Sequence, residues 1–186
     1  MRLILASASP RRADLLTAAG FSFEIMPVEV DESVLPTEEP KNYVSRLALT
    51  KARAAARRNP GTAVLGADTA VVAGSRVLGK PADAQEAAEM LQTLSGRTHD
   101  VLTGVAICAH GREACHVVCT RVRFVQLSAA EIAWYVASSE PYDKAGGYAV
   151  QGLASRFVDT IEGSYSNVVG LPVSVVYGLL KDLGAL

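Results

Sequence analysis

A chain of 186 residues, 49% hydrophobic and 20% charged, is long enough to bury a core without staples, as one large domain or two tightly joined lobes. Its formal net charge of −1 excludes a general basic field for long nucleic acid, so an anionic ligand has to be met by a local basic cluster. No stretch approaches the roughly 20 apolar residues of a membrane span, and three cysteines do not imply a disulfide framework; a cytoplasmic protein without membrane attachment is the expectation.

Arg2, Leu3-Ile4-Leu5 and Ala6-Ser7-Ala8 imitate a secretion signal, but the apolar run is shorter than the roughly 7–15 residues that such a region needs. Residues 2–6 read instead as a short buried strand. Pro10 suits the first position of a helix, Ser9 suits its N-cap, and Gly20 ends it. Phe21 to Val30 alternates loosely, as a strand does. Glu38 to Arg58 is a long Ala-rich helix closed by Asn59-Pro60-Gly61. The apolar run Ala63 to Val72, the turn pair Gly74-Ser75 and Arg76 to Gly79 predict a hairpin. Asp83 to Leu94 is a helix ended by Gly96. His99 to Cys108 and Cys115 to Leu127 predict two long antiparallel strands around His110-Gly111-Arg112. Ser128 and Glu131 form a capping box for a helix to about Ser138, a Gly-rich segment runs from Pro141 to Gly152, and Pro172 opens a last helix to about Leu183. Strands and helices alternate irregularly, which predicts an α/β fold with a mixed sheet flanked by helices.

Several residues do not fit a plain core. Arg11 and Arg12 stand in the first turn of a helix, where the dipole disfavours cations by about 0.3–1 kcal/mol each. Either they are solvated, or an anion such as phosphate docks at the helix start among serines, backbone N–H groups and guanidinium forks. Asp68 interrupts the run Val64 to Val71: it is either a turn residue after Gly66 or a buried carboxylate in need of a cation. Lys51 lies on the same stripe as Val44, Leu47, Ala48 and Ala55; it either snorkels or meets that carboxylate. If Gly74-Ser75 is a two-residue turn, Lys80 falls opposite Thr69, with Asp68 one step away on the other face. Asp31-Glu32 after a strand either face solvent or bind a hard cation. Cys115, His116 and Cys119 lack zinc spacing and read as structural, and neither a Walker A loop nor a G-x-S-x-G elbow occurs.

Seven pieces in order, LILASASPRRADLL, LALTKA, VLGADTAV, LGKP, LSGRTHDVLTG, EPYDKAGGYAVQG and EGSYSNVVGLP, resemble the Maf family of nucleoside triphosphate pyrophosphatases over essentially the whole chain, residues 1–186. The resemblance implies an elongated α/β fold, similar to that of inosine triphosphatase, with two lobes and a central cleft. It also implies hydrolysis of a nucleoside triphosphate to the monophosphate and pyrophosphate with a divalent metal, Mg²⁺ or Mn²⁺. Asp68 matches the catalytic carboxylate. Ser7, Arg11, Arg12, Lys51 and Lys80 match phosphate-side positions, and Glu32 an acidic position near the metal, which Asp68 shares. Arg11, Thr69 and Gln151 match the branch that prefers dTTP and UTP; the branch acting on 7-methyl-GTP carries an aromatic after Ser-Pro, D-Q after the strand and E-G in the later loop. Gly147 and Ala149 depart from the family pattern, which has Ala and Gly there.

On this reading two arginines, two lysines and a metal balance the triphosphate, Asp68 orients and deprotonates the water that attacks the α-phosphorus, and Thr69 and Gln151 read the pyrimidine edge. The resemblance also admits a nucleotide-binding regulator of septum formation, and the dimer common among such proteins is the expected assembly. A general nucleotide-sugar or coenzyme pyrophosphatase is disfavoured, because the acid-rich R-E-x-x-E-E helix is absent.

Overall fold

The computed structural model describes residues 2–186. Strand β1 (Leu3–Leu5) lies between two parallel neighbours, β2 (Phe23–Ile25) and β3 (Ala63–Ala73), and is buried on both faces because helices cover both. The seven-stranded sheet has the order β2-β1-β3-β5-β6-β7, with β4 (Arg76–Leu78) paired antiparallel to the end of β3. Strands β5 (Thr98–Ala109) and β6 (Arg112–Phe124) are joined by His110 and Gly111, both at positive φ, as a twisted two-residue hairpin turn demands. Strand β7 (Val158–Glu162) pairs antiparallel with β6. The mixed sheet flanked by helices is the expected one.

The chain folds into two compact units: residues 2–69, 103–118 and 170–186 form the first, and residues 70–102 and 119–169 the second. In the first unit the sheet is covered on both faces. Helix α1 (Pro10–Ala18) and the last helix α6 (Val173–Asp182) pack Leu16, Val176 and Leu180 onto Leu3, Leu5, Leu65, Val105 and Ile107. Helix α2 (Pro40–Arg58) packs Ala48, Ala52 and Ala55 onto the opposite parity, Ile4, Val64 and Ala106. The α2 contact is backbone on backbone. A Cβ on Gly66 would lie 2.3 Å from the Ala48 carbonyl oxygen, and one on Gly104 would lie 2.2 Å from that of Val44. Helices α1 and α2 cover opposite faces of the sheet, and β1 has β2 on one side and β3 on the other, so the C-terminal end of β1 beside β3 forms a topological switch point. Open α/β sheets bind ligands at such points.

The second unit holds β4, α3 (Ala84–Leu94), α4 (Ala129–Val136), three 3₁₀ turns, β7 and the short α5 (Tyr165–Val169). Asp83 caps α3 through the Glu86 N–H, and the capping box Ser128/Glu131 opens α4 as expected. His99, Phe124, Tyr148, Tyr135 and Phe157 make an aromatic core of edge-on ring contacts, such as Phe124–Tyr148 at 4.8 Å and Tyr135–Phe157 at 5.4 Å.

The structure departs from expectation at several elements. Strand β2 is three residues long rather than reaching Val30: Pro27 has no N–H to continue the ladder, and the chain turns away after the Met26 amide bonds Leu5 O. Ser9 is the N-cap of α1 by position, but its side chain makes no cap bond. Pro172 sits at the N-cap of α6 rather than inside it. Strand β7 and helix α5 had no counterpart in the sequence reading.

Candidate active site

The site residues on β3 fall on its two faces. Asp68, of even parity, points to α2; Thr69, of odd parity, points to α1. Lys51, on the buried stripe of α2, donates to Asp68 Oδ1 at 2.7 Å and pairs with Glu32 Oε1 at 2.5 Å. Lys51 and Asp68 are each 8% exposed, whereas Glu32 is exposed. The reading of Asp68 as a solvated turn residue is therefore excluded, and Lys51 is an ion-pair partner rather than a snorkelling side chain. Burial raises the Asp68 carboxyl above the usual carboxylate value. The charge and hydrogen bond of Lys51 oppose the rise, as does the charge of Arg12.

The loop that carries Glu32 is tied to the first turns of α2. Tyr43 Oη donates to Glu32 O at 3.0 Å, and Arg46 Nη2 to Ser33 O at 2.9 Å while its Nε holds Glu38. Burial, followed by the charges of Asp68 and Glu32, pushes the Tyr43 hydroxyl up to about 12. Asp31 turns back into the loop, accepting from the Ser33 N–H at 2.9 Å.

On the other face, Arg12 is 9% exposed. Its Nε donates to Gly170 O at 2.8 Å, its Nη1 to Ser7 Oγ at 3.0 Å and its Nη2 to Thr69 Oγ1 at 3.1 Å. Ser7 Oγ also accepts from the Ser9 amide at 3.2 Å. Thr69 Oγ1 is further bonded to Thr103 Oγ1 at 2.9 Å and lies 3.4 Å from Gly170 O. Every direct partner of Arg12 is a neutral oxygen, and no carboxylate of the described residues reaches it within ion-pair distance. Burial lowers the guanidinium pKa; Asp68 opposes that shift through space, Arg11 adds to it and Glu32 opposes it more weakly. An arginine stays protonated even so, and a buried cation bonded only to neutral groups is costly until an anion joins it. Solvation is thus excluded for Arg12.

The first unit therefore gathers Ser7, Arg12, Thr69, Lys51, Asp68 and Glu32 at the ends of β1 and β3, with Arg11 half-buried in electrostatic reach of Arg12. Lys80 and Gln151 belong to the second unit, and both are exposed. The hairpin pairs Val71 with Leu78 and Ala73 with Arg76 about a two-residue turn at Gly74-Ser75, as expected, and its ladder ends at Leu78. The turn that follows Gln151 is held by Glu140, whose carboxylate accepts from the Leu153 N–H at 2.9 Å, the Ala154 N–H at 3.3 Å and Tyr135 Oη at 2.9 Å.

The family model of the Maf-like proteins matches residues 2–183. The chain belongs to the Maf family. It is 52% identical to the dTTP/UTP pyrophosphatase of Anaeromyxobacter dehalogenans strain 2CP-C, over 98% of this chain and 94% of that protein. It is 51% identical to the dTTP/UTP pyrophosphatase of Syntrophus aciditrophicus, over 100% and 91%. The Staphylococcus aureus Ham1 protein shares the fold at a TM-score of 0.54 and 10% identity, covering 98% of this chain and 99% of that one.

In this Maf chain the two acids that converge on Lys51 offer hard oxygen donors. Among the described residues no group of three or more His, Cys, Asp or Glu side chains stands together as a closed metal cage. Mg²⁺ is commonly bound by one or two carboxylates plus substrate phosphates, so the pair fits such an ion. Sequence reasoning passed over Tyr43, Thr103, Glu140 and Gly170. Tyr43 carried a signal, since it sits one helical step before Leu47 on the stripe of Lys51. Gly170 carried none, being 158 residues from Arg12.

Proposed function

We propose that the protein hydrolyses nucleoside triphosphates, dTTP and UTP foremost, to the monophosphate and pyrophosphate. The observation that carries this reading is the Arg12 guanidinium, buried among neutral oxygens beside a buried, pKa-raised aspartate. One group requires an anion and the other is suited to hold a water proton. Relatives about 50% identical over the whole chain, named dTTP/UTP pyrophosphatases, support the same substrate class.

Arg12, with Arg11 and Ser7, receives the phosphates at the start of α1, where the helix dipole adds its partial positive charge. Asp68 orients a water and takes its proton as the oxygen attacks the α-phosphorus in line, expelling pyrophosphate. Lys51 keeps Asp68 oriented through the 2.7 Å bond. Glu32 and Asp68 would hold a divalent cation, which supplies charge neutralisation for the phosphate oxygens when bound. Lys80 is assigned a phosphate-side role, and Arg11 and Gln151 a preference for a pyrimidine. Cys108, Cys115 and Cys119, present as thiols, support a reducing, cytoplasmic setting, and no helix of the described residues is long and apolar enough to cross a membrane.

Pyrophosphate release from dTTP, UTP, CTP, GTP, ATP and 7-methyl-GTP, with Mg²⁺ or Mn²⁺, tests the reading. Selective turnover of dTTP and UTP is expected, with Asp68→Asn lowering kcat by about 10²–10⁴ while nucleotide still binds. Turnover of 7-methyl-GTP instead would overturn the specificity. Nucleotide binding without turnover would point to the regulator of septum formation.

A further inference from the structure

A hydroxyl has one proton to donate and two lone pairs to accept with. Thr69 Oγ1 has three partners: it accepts from Arg12 Nη2 at 3.1 Å, meets Thr103 Oγ1 at 2.9 Å and has Gly170 O at 3.4 Å. Gly170 O can only accept, and between Thr69 and Thr103 either hydroxyl can donate, so the Thr69 proton goes to one of these two neighbours. With Arg12 Nη2 on one lone pair as well, the hydroxyl is held chiefly by protein partners. One route for its effect on the substrate is the group that it orients, Arg12.

Thr103 is completely buried on β5, with the same parity as Val105 and Ile107, on the α1 side of the sheet. Thr69, Thr103 and Gly170 each stand where a segment of the first unit begins or ends, and Arg12 binds two of the three directly. Of the five N–H donors of a guanidinium, three are engaged by Gly170 O, Ser7 Oγ and Thr69 Oγ1, so two remain for a ligand. The aim of those two is fixed by the oxygens that hold the other three.

We infer that Thr103 is a positioning residue for the reaction: through Thr69 it locks the Arg12 fork in the orientation that meets the substrate's phosphate. The inference rests on the reading of Arg12 as a phosphate ligand. It gives Thr69 a part on the anion side in addition to base recognition. Arginine recognises phosphate as a planar fork, so a rotation of that fork weakens binding even though the charge is unchanged.

The test compares Thr103→Val, which removes the hydroxyl at nearly constant volume, with Thr103→Ser, which restores it. Thr103→Val is expected to lower kcat/KM for dTTP by about tenfold, chiefly through KM, while its melting temperature shows a folded protein. Thr103→Ser should return to within about twofold of wild type, and Thr103→Val added to Arg12→Met should cost nothing further. If the valine variant does not fold, Thr103→Ala deletes the same hydroxyl with less crowding. A folded hydroxyl-less variant with wild-type kcat/KM would overturn the inference, and so would a tenfold loss that persists in the Arg12→Met background. Calorimetric titration with α,β-imido-dTTP and with inorganic pyrophosphate separates this from the activity itself. Should the wild type release no pyrophosphate, the enzymatic reading fails, yet weaker binding of both probes to Thr103→Val sustains the positioning role and unchanged binding rejects it.

Discussion

At the ends of β1 and β3 the chain buries an arginine, a lysine and an aspartate; in the second unit it buries a histidine and a tyrosine. The second place avoids charge altogether. His99 Nε2 shares a 2.8 Å hydrogen bond with Tyr148 Oη, Phe124 stands edge-on 5.1 Å away, and burial pushes the imidazole down to about 4. Burial likewise raises the Tyr148 hydroxyl, so both groups are neutral at physiological pH. The first place has no such escape, because a guanidinium does not give up its proton. A histidine core that neutralises itself is packing, whereas a cation kept buried on neutral oxygens is an arrangement awaiting a counter-charge.

The comparison breaks most sharply at Arg12. Arg12→Met is expected to lower kcat/KM for dTTP by at least about 10²-fold, as loss of a preorganised charge donor does. Its melting temperature should stay within a few degrees of wild type, because an unneutralised buried cation contributes little stability. A variant that unfolds but retains full activity per folded molecule would erase the distinction.

His99 should show the reverse. With a folded pKa of about 4 against 6.5 unfolded, the unfolded chain takes up a proton below pH 6.5 that the folded chain refuses. Stability contributed by neutral His99 is therefore present above pH 6.5 and is lost as pH falls towards 4, by up to about 3 kcal/mol. Urea titrations of wild type and His99→Gln across that range should differ by this slope, with kcat/KM at neutral pH changed by no more than about twofold. Equal slopes would place His99 outside the neutral core.

The smallest effect is expected at Gly66→Ala. Its Cβ would fall 2.6 Å from the Ala52 amide nitrogen as well as against Ala48 O, so α2 has to shift, at about 1–3 kcal/mol. Denaturant midpoints measure the cost, and kcat should fall with it, since Lys51 rides on the displaced helix.

Much of this was legible in the sequence where one element held the signal. The period of α2 put Lys51 on the buried stripe, Ser128 and Glu131 announced α4, and Asp68 stood out as an acid in an apolar run. Thr103 is equally polar in an apolar run but raised no flag, because threonine is at home in strands. Strand β7 is short and half-exposed, held by cross-strand ion pairs such as Arg121–Glu162 at 2.5 Å that only a folded partner reveals. The Arg12 network unites residues from β3, β5 and the segment before α6, a convergence that no local pattern encodes.

Gly66 and Gly104 have one more consequence. At these two points helix α2 rests on the sheet main chain to main chain, with the small side chains of Ala48, Ala52 and Ala55 packed around them. The base of Lys51 is thus located by close main-chain contact at two points as well as by the alanine packing around them. Two hydrogen atoms, one on each glycine, are the narrow gate through which sequence change can reset the spacing of the site.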